Sequence, residues 1–126
     1  MAVLIVDDSK AMRSLLGHIL KSAGFAIFEA SDGQEALACL QQISDIDLAL
    51  VDWNMPGMDG YAFIHAVRAV PAYRRVRLMM VTAEAEIEQV SRALAAGADE
   101  YIMKPFTRDA VLEKLKLLEI LPLNHG

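Results

Sequence analysis

Apolar and polar residues alternate along the chain in two rhythms. Short apolar stretches predict strands at Ala2–Val6, Ala26–Ala30, Leu48–Val51, Leu78–Val81 and Glu100–Met103. The first and third are apolar throughout, as in strands covered on both faces. Between them the period lengthens to that of a helix. Met12, Leu15, Leu16, Ile19, Leu20 and Ala23 share one helical face, and Gly24 stops it. Ser31 with Gln34 predicts a capping box, opening a helix that packs Ala36, Leu37, Leu40 and Ile43. Phe63, Ile64 and Val67 give a short third helical face, followed by Pro71 and a basic, solvated loop with Arg74, Arg75 and Arg77. A fourth helix is predicted over Glu86–Ala96, ended by Gly97. Thr107 caps a fifth, which carries Val111, Leu115 and Leu118, and Pro122 closes the ordered part.

A strand followed by a helix, five times, predicts an α/β fold with a parallel sheet and helices on both faces. Right-handed crossovers leave few topologies. At 126 residues the chain suits one open, doubly wound domain, since an eight-fold barrel needs about 250. Composition then excludes several functions. The net charge of −5 and pI of about 5.1 argue against direct binding of nucleic acid or an anionic membrane. Cys39 is alone, so neither a disulfide nor a Cys-rich zinc site is available. No signal peptide or long apolar span is evident, and a cytoplasmic location is expected.

The chemistry lies in the residues that end the strands. Strand one ends in Asp7-Asp8, strand three in Asp52, strand four in Thr82 and strand five in Lys104. In a parallel sheet these ends share one edge, where open α/β sheets bind their ligands. Three carboxylates together repel and raise one another's pKa. A hard cation such as Mg²⁺ relieves that repulsion while keeping several waters. Lys104 is a point charge suited to a phosphoryl oxygen, and Thr82 can donate a hydrogen bond to another. Lys104-Pro105 invites a cis peptide. The set fits phosphoryl transfer to a carboxylate. Taken singly, each piece has a plainer reading: Asp7-Asp8 as a helix cap, Thr82 as a cap, Lys104 as a solvated residue before a turn. Glu29, near the end of strand two, is expected to point away or to lie at the rim.

Four motifs in order carry a resemblance: Val6-Asp7-Asp8-Ser9, Asp52-Trp53-Asn54-Met55-Pro56-Gly57-Met58-Asp59-Gly60, Val81-Thr82-Ala83 and Tyr101-Ile102-Met103-Lys104-Pro105-Phe106. The chain resembles a receiver domain of two-component signalling, of the stand-alone chemotaxis kind. The resemblance implies a flavodoxin-like sheet in the order 2-1-3-4-5 with five flanking helices. It implies a receiver domain over residues 1–120 and a tail over 121–126, with no output domain following. It implies that Asp52 accepts a phosphoryl group from a histidine kinase, and that Asp7, Asp8, Asp52 and the Asn54 carbonyl hold Mg²⁺. Lys104 would pair with a phosphoryl oxygen, and Thr82 and Tyr101 would form the switch. The implied product is a signalling monomer, a phosphoacceptor and not an enzyme.

Two other classes fit less well. An aspartyl-phosphate phosphatase commonly carries a second acid two residues after its nucleophile, where this chain has Asn54. A flavin or nucleotide module needs a Gly- or Ser/Thr-rich loop after strand one, where Asp7-Asp8 would repel phosphate. Within the family, a phosphorelay intermediate or the receiver part of a longer regulator is the alternative. The partner face, by resemblance, is helix four, strand five and helix five. Its start, Glu86-Ile87-Glu88, is acidic where a flagellar-motor binder is expected to be basic. Val90 and Tyr101 offer apolar anchors, and the expectation is an effector with a basic rim. Glu86 and Glu88 are both expected to lie away from the crevice.

Overall fold

The computed structural model describes residues 1–120 except Pro56, and only the backbone of Glu84 and Ala85. Pro122, His125 and the predicted tail lie outside the described residues. Five strands form one parallel sheet: β1 (Ala2–Val6), β2 (Ala26–Ala30), β3 (Ile46–Asp52), β4 (Arg77–Ala83) and β5 (Glu100–Lys104). Their order is β2-β1-β3-β4-β5, as the resemblance implied. Five helices alternate with them: α1 (Lys10–Ser22), α2 (Gly33–Gln42), α3 (Gly60–Arg68), α4 (Val90–Ala96) and α5 (Arg108–Leu117).

The two-residue period of the strands divides the core in two. Val3, Ile5, Leu48, Leu50, Met79, Val81 and Ile102 face α1 and α5, where Leu16, Ile19, Leu20, Val111 and Leu115 meet them. Their sequence neighbours Leu4, Val6, Ala49, Val51, Leu78 and Met80 face α2, α3 and α4, against Ala36, Leu40, Phe63, Ile64, Val67 and Ala93. β1, β3 and β4 are thus apolar on both faces because both are covered. Continuing the alternation past the apolar run puts Asp7 and Asp52 on the α1/α5 side. Lys104 follows Ile102 onto that side, while Thr82 and Tyr101 fall on the side of α4.

Several local readings shift. The second helix is capped by Asp32, whose side chain accepts the Glu35 N–H at 2.8 Å. Glu35, not Gln34, reaches back, to the Ser31 N–H and hydroxyl. Both pairs place an oxygen acceptor three or four residues from a short polar side chain, so spacing alone did not choose between them. The segment Glu84–Gln89 is a 3-10 helix, and α4 proper begins only at Val90. Leu15 leans out of its stripe and is 48% exposed. Arg77 is not in the loop but opens β4, 3.9 Å from Asp99. Thr107 caps α5 as expected, accepting the Ala110 N–H.

Gly60 opens α3 directly behind the end of β3. A Cβ there would stand 3.0 Å from the Trp53 Cα and 3.1 Å from the Asp52 carbonyl oxygen. Its N–H also donates to the Trp53 carbonyl at 3.0 Å. The residue is small so that the helix can press against the turn that follows Asp52.

Candidate functional site

The parallel sheet delivers its carboxyl ends to one edge. Asp7 follows β1 and is anchored by its own N–H, which donates to Ala30 at 3.1 Å. Asp52 ends β3, the central strand, in register with Val81 of β4. Thr82 and Ala83 stand opposite Met103 and Lys104 of β5. Carboxylate oxygens of Asp7, Asp8 and Asp52 lie within 4.8 Å of one another. Asp7 and Asp52 are buried and Asp8 is exposed, so the cluster is closed below and open to solvent above.

Burial pushes the carboxyl of Asp52 above its ordinary pKa, and the charge of Asp7 adds to the rise. Lys104 opposes it, with Nζ 3.3 Å from Asp52 Oδ1. Asp7 is likewise raised, first by burial. Its Oδ1 accepts the Ser9 N–H at 2.8 Å, but Oδ2 is buried with no hydrogen-bond partner among the described residues. A buried acceptor left unpaired costs about 1–3 kcal/mol. Three clustered carboxylates with one orphaned oxygen form an all-oxygen donor set, which fits a hard divalent cation.

The remaining residues are arranged around this cluster. The Thr82 hydroxyl is buried and donates to the Ala83 carbonyl at 3.3 Å, a long bond that leaves the hydroxyl easily redirected. Tyr101 is half-buried against the α2/α3/α4 core. Lys114 Nζ lies 4.6 Å from the Tyr101 ring centre and pairs with Glu100 at 2.9 Å. The Lys104–Pro105 peptide is cis, as read from the sequence. Trp53 is buried beside Asp52 and meets Tyr61 edge-on, with ring centres 6.2 Å apart.

Residues 3–116 match the response regulator receiver domain family. This chain belongs to the response regulator receiver domains. The receiver is 41% identical over 117 residues to chemotaxis protein CheY of Pseudomonas aeruginosa, covering 92% of this chain and 94% of that one. It is 42% identical over 116 residues to chemotaxis protein CheY-3 of Vibrio cholerae, covering 91% and 88%. Among solved structures, CheY4 of Vibrio cholerae superposes with a TM-score of 0.86 at 37% identity, covering 93% of this chain and 97% of that one. A probable response regulator with a GGDEF domain superposes at 0.89 and 29% identity, but this receiver covers only 49% of it.

Sequence reasoning missed three features of the receiver. Arg13 donates to the Asp7 carbonyl at 2.7 Å and to Glu29 at 3.0 Å, so it holds the loop after β1. Glu29 itself is exposed and takes no part in the carboxylate cluster. Arg68 donates to the carbonyls of Gly97, Tyr73 and Val76 and pairs with Asp99, tying α3 to the ends of α4 and β4. No local pattern announces contacts made across 29 or 31 residues. Third, Glu86 does not lie away from the crevice. One of its oxygens accepts from the Asn54 side-chain amide, and the other accepts the Ala83 N–H at 3.0 Å. The 3-10 winding of Glu84–Gln89 turns this side chain back toward β3, whereas Glu88 stays exposed. The pair of glutamates is therefore split in role.

The raised pKa of Asp7 has a defined sign. A carboxyl raised in the folded state favours folding when protonated, and that benefit is lost as pH rises through its folded pKa. At neutral pH and without metal, the ionised Asp7 therefore destabilises the fold. Asp7→Asn keeps an oxygen for the Ser9 N–H and gives the orphaned position a donor facing carboxylates. In EDTA at pH 7 it should raise the melting temperature by roughly 2–8 °C, about 1 kcal/mol or somewhat more. The gain should shrink as pH falls through the carboxylate range. Thermal melts across that range check it, and an unchanged or lower melting temperature at pH 7 would refute the crowding.

Proposed function

We propose that this receiver is a Mg²⁺-dependent phosphoacceptor that takes a phosphoryl group from a histidine kinase on Asp52 and thereby switches a protein–protein interaction. The observation carrying the proposal is the buried Asp52 at the end of the central strand, between a lysine on one side and two further carboxylates on the other. An Asp52 oxygen attacks phosphorus, the phosphorus–nitrogen bond of the phosphohistidine breaks, and its electron pair stays on the imidazole. The product is an acyl phosphate. Lys104 pairs with a phosphoryl oxygen, and Thr82 turns its hydroxyl from the Ala83 carbonyl toward another. Asp7, Asp8, Asp52 and the Asn54 carbonyl are the groups that would hold the cation. When bound, Mg²⁺ supplies charge neutralisation between the carboxylates and the phosphoryl oxygens. The receiver thus promotes its own phosphorylation and dephosphorylation and is no general phosphatase, since Asn54 cannot act as an acid.

The output follows from the sheet's alternation. Thr82 and Tyr101 lie on the same face, and Tyr101 is one strand from Met80 in register. Movement of the Thr82 hydroxyl toward the phosphoryl group opens space on the side of α4, into which the Tyr101 ring moves. The phosphorylated arrangement gains population in proportion to its stronger hold on the phosphoryl group. Three of the similar proteins named above are chemotaxis proteins, and chemotaxis is a natural setting for this chain too. We assign the partner face to α4, β5 and α5, where Ile87, Leu94 and Met103 are exposed around the half-buried Val90 and Tyr101. No described helix is long and apolar enough to cross a membrane. A cytoplasmic monomer over residues 1–120 is the form we propose.

Asp52→Asn should lose stable labelling by acetyl phosphate, because an amide forms no acyl phosphate. Mass mapping checks this, and full Mg²⁺-dependent labelling at another residue would sink the assignment. For the partner face, Glu88→Lys should weaken capture of the effector by phosphorylated receiver, by roughly tenfold, mostly through the on-rate. Labelling of Asp52 should be unaffected. Equal capture by both proteins would mean that the acidic rim has no part in partner choice.

A further inference from the structure

Glu86 joins two loops that flank Asp52. Asn54 lies two residues beyond Asp52 in the loop after β3, and Ala83 lies one beyond Thr82 at the end of β4. The Asn54 amide donates to one oxygen of the carboxylate, and the Ala83 N–H donates to the other at 3.0 Å. Half of this pattern is common. A glutamate three residues into a helical turn often bonds back to the N–H that opens it. The other half spans 32 residues and links separate strands' loops, which a cap does not require.

Each donor adjoins a residue of the site, and each is occupied by an anion of the chain itself. A phosphoryl group arriving on Asp52 brings oxygens that need donors, into an edge already bearing three acids. A fourth acid raises the negative potential that an anionic phosphodonor must enter. We propose that Glu86 is a carboxylate latch on phosphorylation. It holds the two loops together in the unphosphorylated receiver, opposes the approach of the donor, and lets go of Asn54 and Ala83 when the phosphoryl group binds. Glu86 is a positioning residue here, acting through those two groups. The inference rests on Asp52 being the phosphoacceptor.

A latch and a cap are separated by Glu86→Gln. Glutamine serves the capping bond as glutamate does, but it carries no charge. With its one oxygen kept on the Ala83 N–H, its amide nitrogen meets the Asn54 amide donor, so that bond is lost unless Asn54 turns its oxygen round, and the neutral bond then formed is about half as strong as the charge-assisted one. The measurement is the rate of Asp52 labelling by acetyl phosphate in saturating Mg²⁺, together with the melting temperature. The latch predicts labelling roughly three- to tenfold faster, the worth of one such hydrogen bond expressed as a rate. The melting temperature should stay within about 2 °C of wild type. Glu86→Ala should label at least as fast but melt lower, because the cap is lost as well. Labelling of Glu86→Gln at the wild-type rate or slower, with Asp52 still the labelled residue, would overturn the latch and leave the acceptor standing. Absence of Asp52 labelling in both proteins would overturn the acceptor reading and the latch with it.

Discussion

Asp7 and Asp52 are buried at the end of a sheet whose interior is otherwise almost wholly apolar, and Asp8 completes the cluster within 4.8 Å. Like charges so placed, in a poorly solvated pocket, oppose their own ionisation. One lysine, 3.3 Å from Asp52, offsets part of that opposition. Among the described residues, Lys104 is the one cation paired with the three carboxylates, which leaves the edge negative, with one buried oxygen unpaired. The rest of the molecule supports this arrangement. Two apolar layers clamp the strands so that their ends cannot drift apart. Arg13 fixes the loop after β1, and Gly60 lets α3 close against the turn after Asp52. Stability given up at the edge is supplied by the core, a division typical of functional sites.

The same constraint underlies the reactivity proposed for the edge. Unrelieved repulsion favours whatever brings positive charge, and then whatever phosphoryl group that charge attracts. Alternation along β4 and β5 divides the residues proposed to act at the site between the two faces of the sheet. Lys104 shares the side of Asp7 and Asp52, while Thr82 and Tyr101 share the side of α4. A hydroxyl at the boundary can therefore carry a change at the site to the opposite face. Lys114 lies over the Tyr101 ring and pairs with Glu100.

Much of this was legible in the sequence, for identifiable reasons. Apolar strands that end abruptly in Asp7, Asp52, Thr82 and Lys104 state both their burial and their chemistry, and a parallel sheet must bring such ends together. Strand order was not legible from periodicity; it came from the resemblance, and the pairing of β1 with both β2 and β3 bears it out. The cap of α2 was displaced by one residue because Ser31 and Asp32 are both good caps with an acceptor three or four residues on. The sequence predicts regular helix through the turn before α4, since Glu, Gln and Ala favour helix wherever they stand. Its 3-10 winding is a tertiary outcome, and with it the inward turn of Glu86. Long-range anchors such as Arg68 leave no local trace at all.

The central claim is that the carboxylate cluster is a cation site whose occupancy is felt beside Asp52. Trp53 is the chain's only tryptophan and is buried next to that residue. Titrating the purified receiver with Mg²⁺ across the millimolar range, while following Trp53 fluorescence, reads the site directly. The account predicts a saturable change that Asp8→Ala largely abolishes, because the exposed carboxylate of the cluster is then missing. A flat titration, or one that Asp8→Ala leaves untouched, would contradict it.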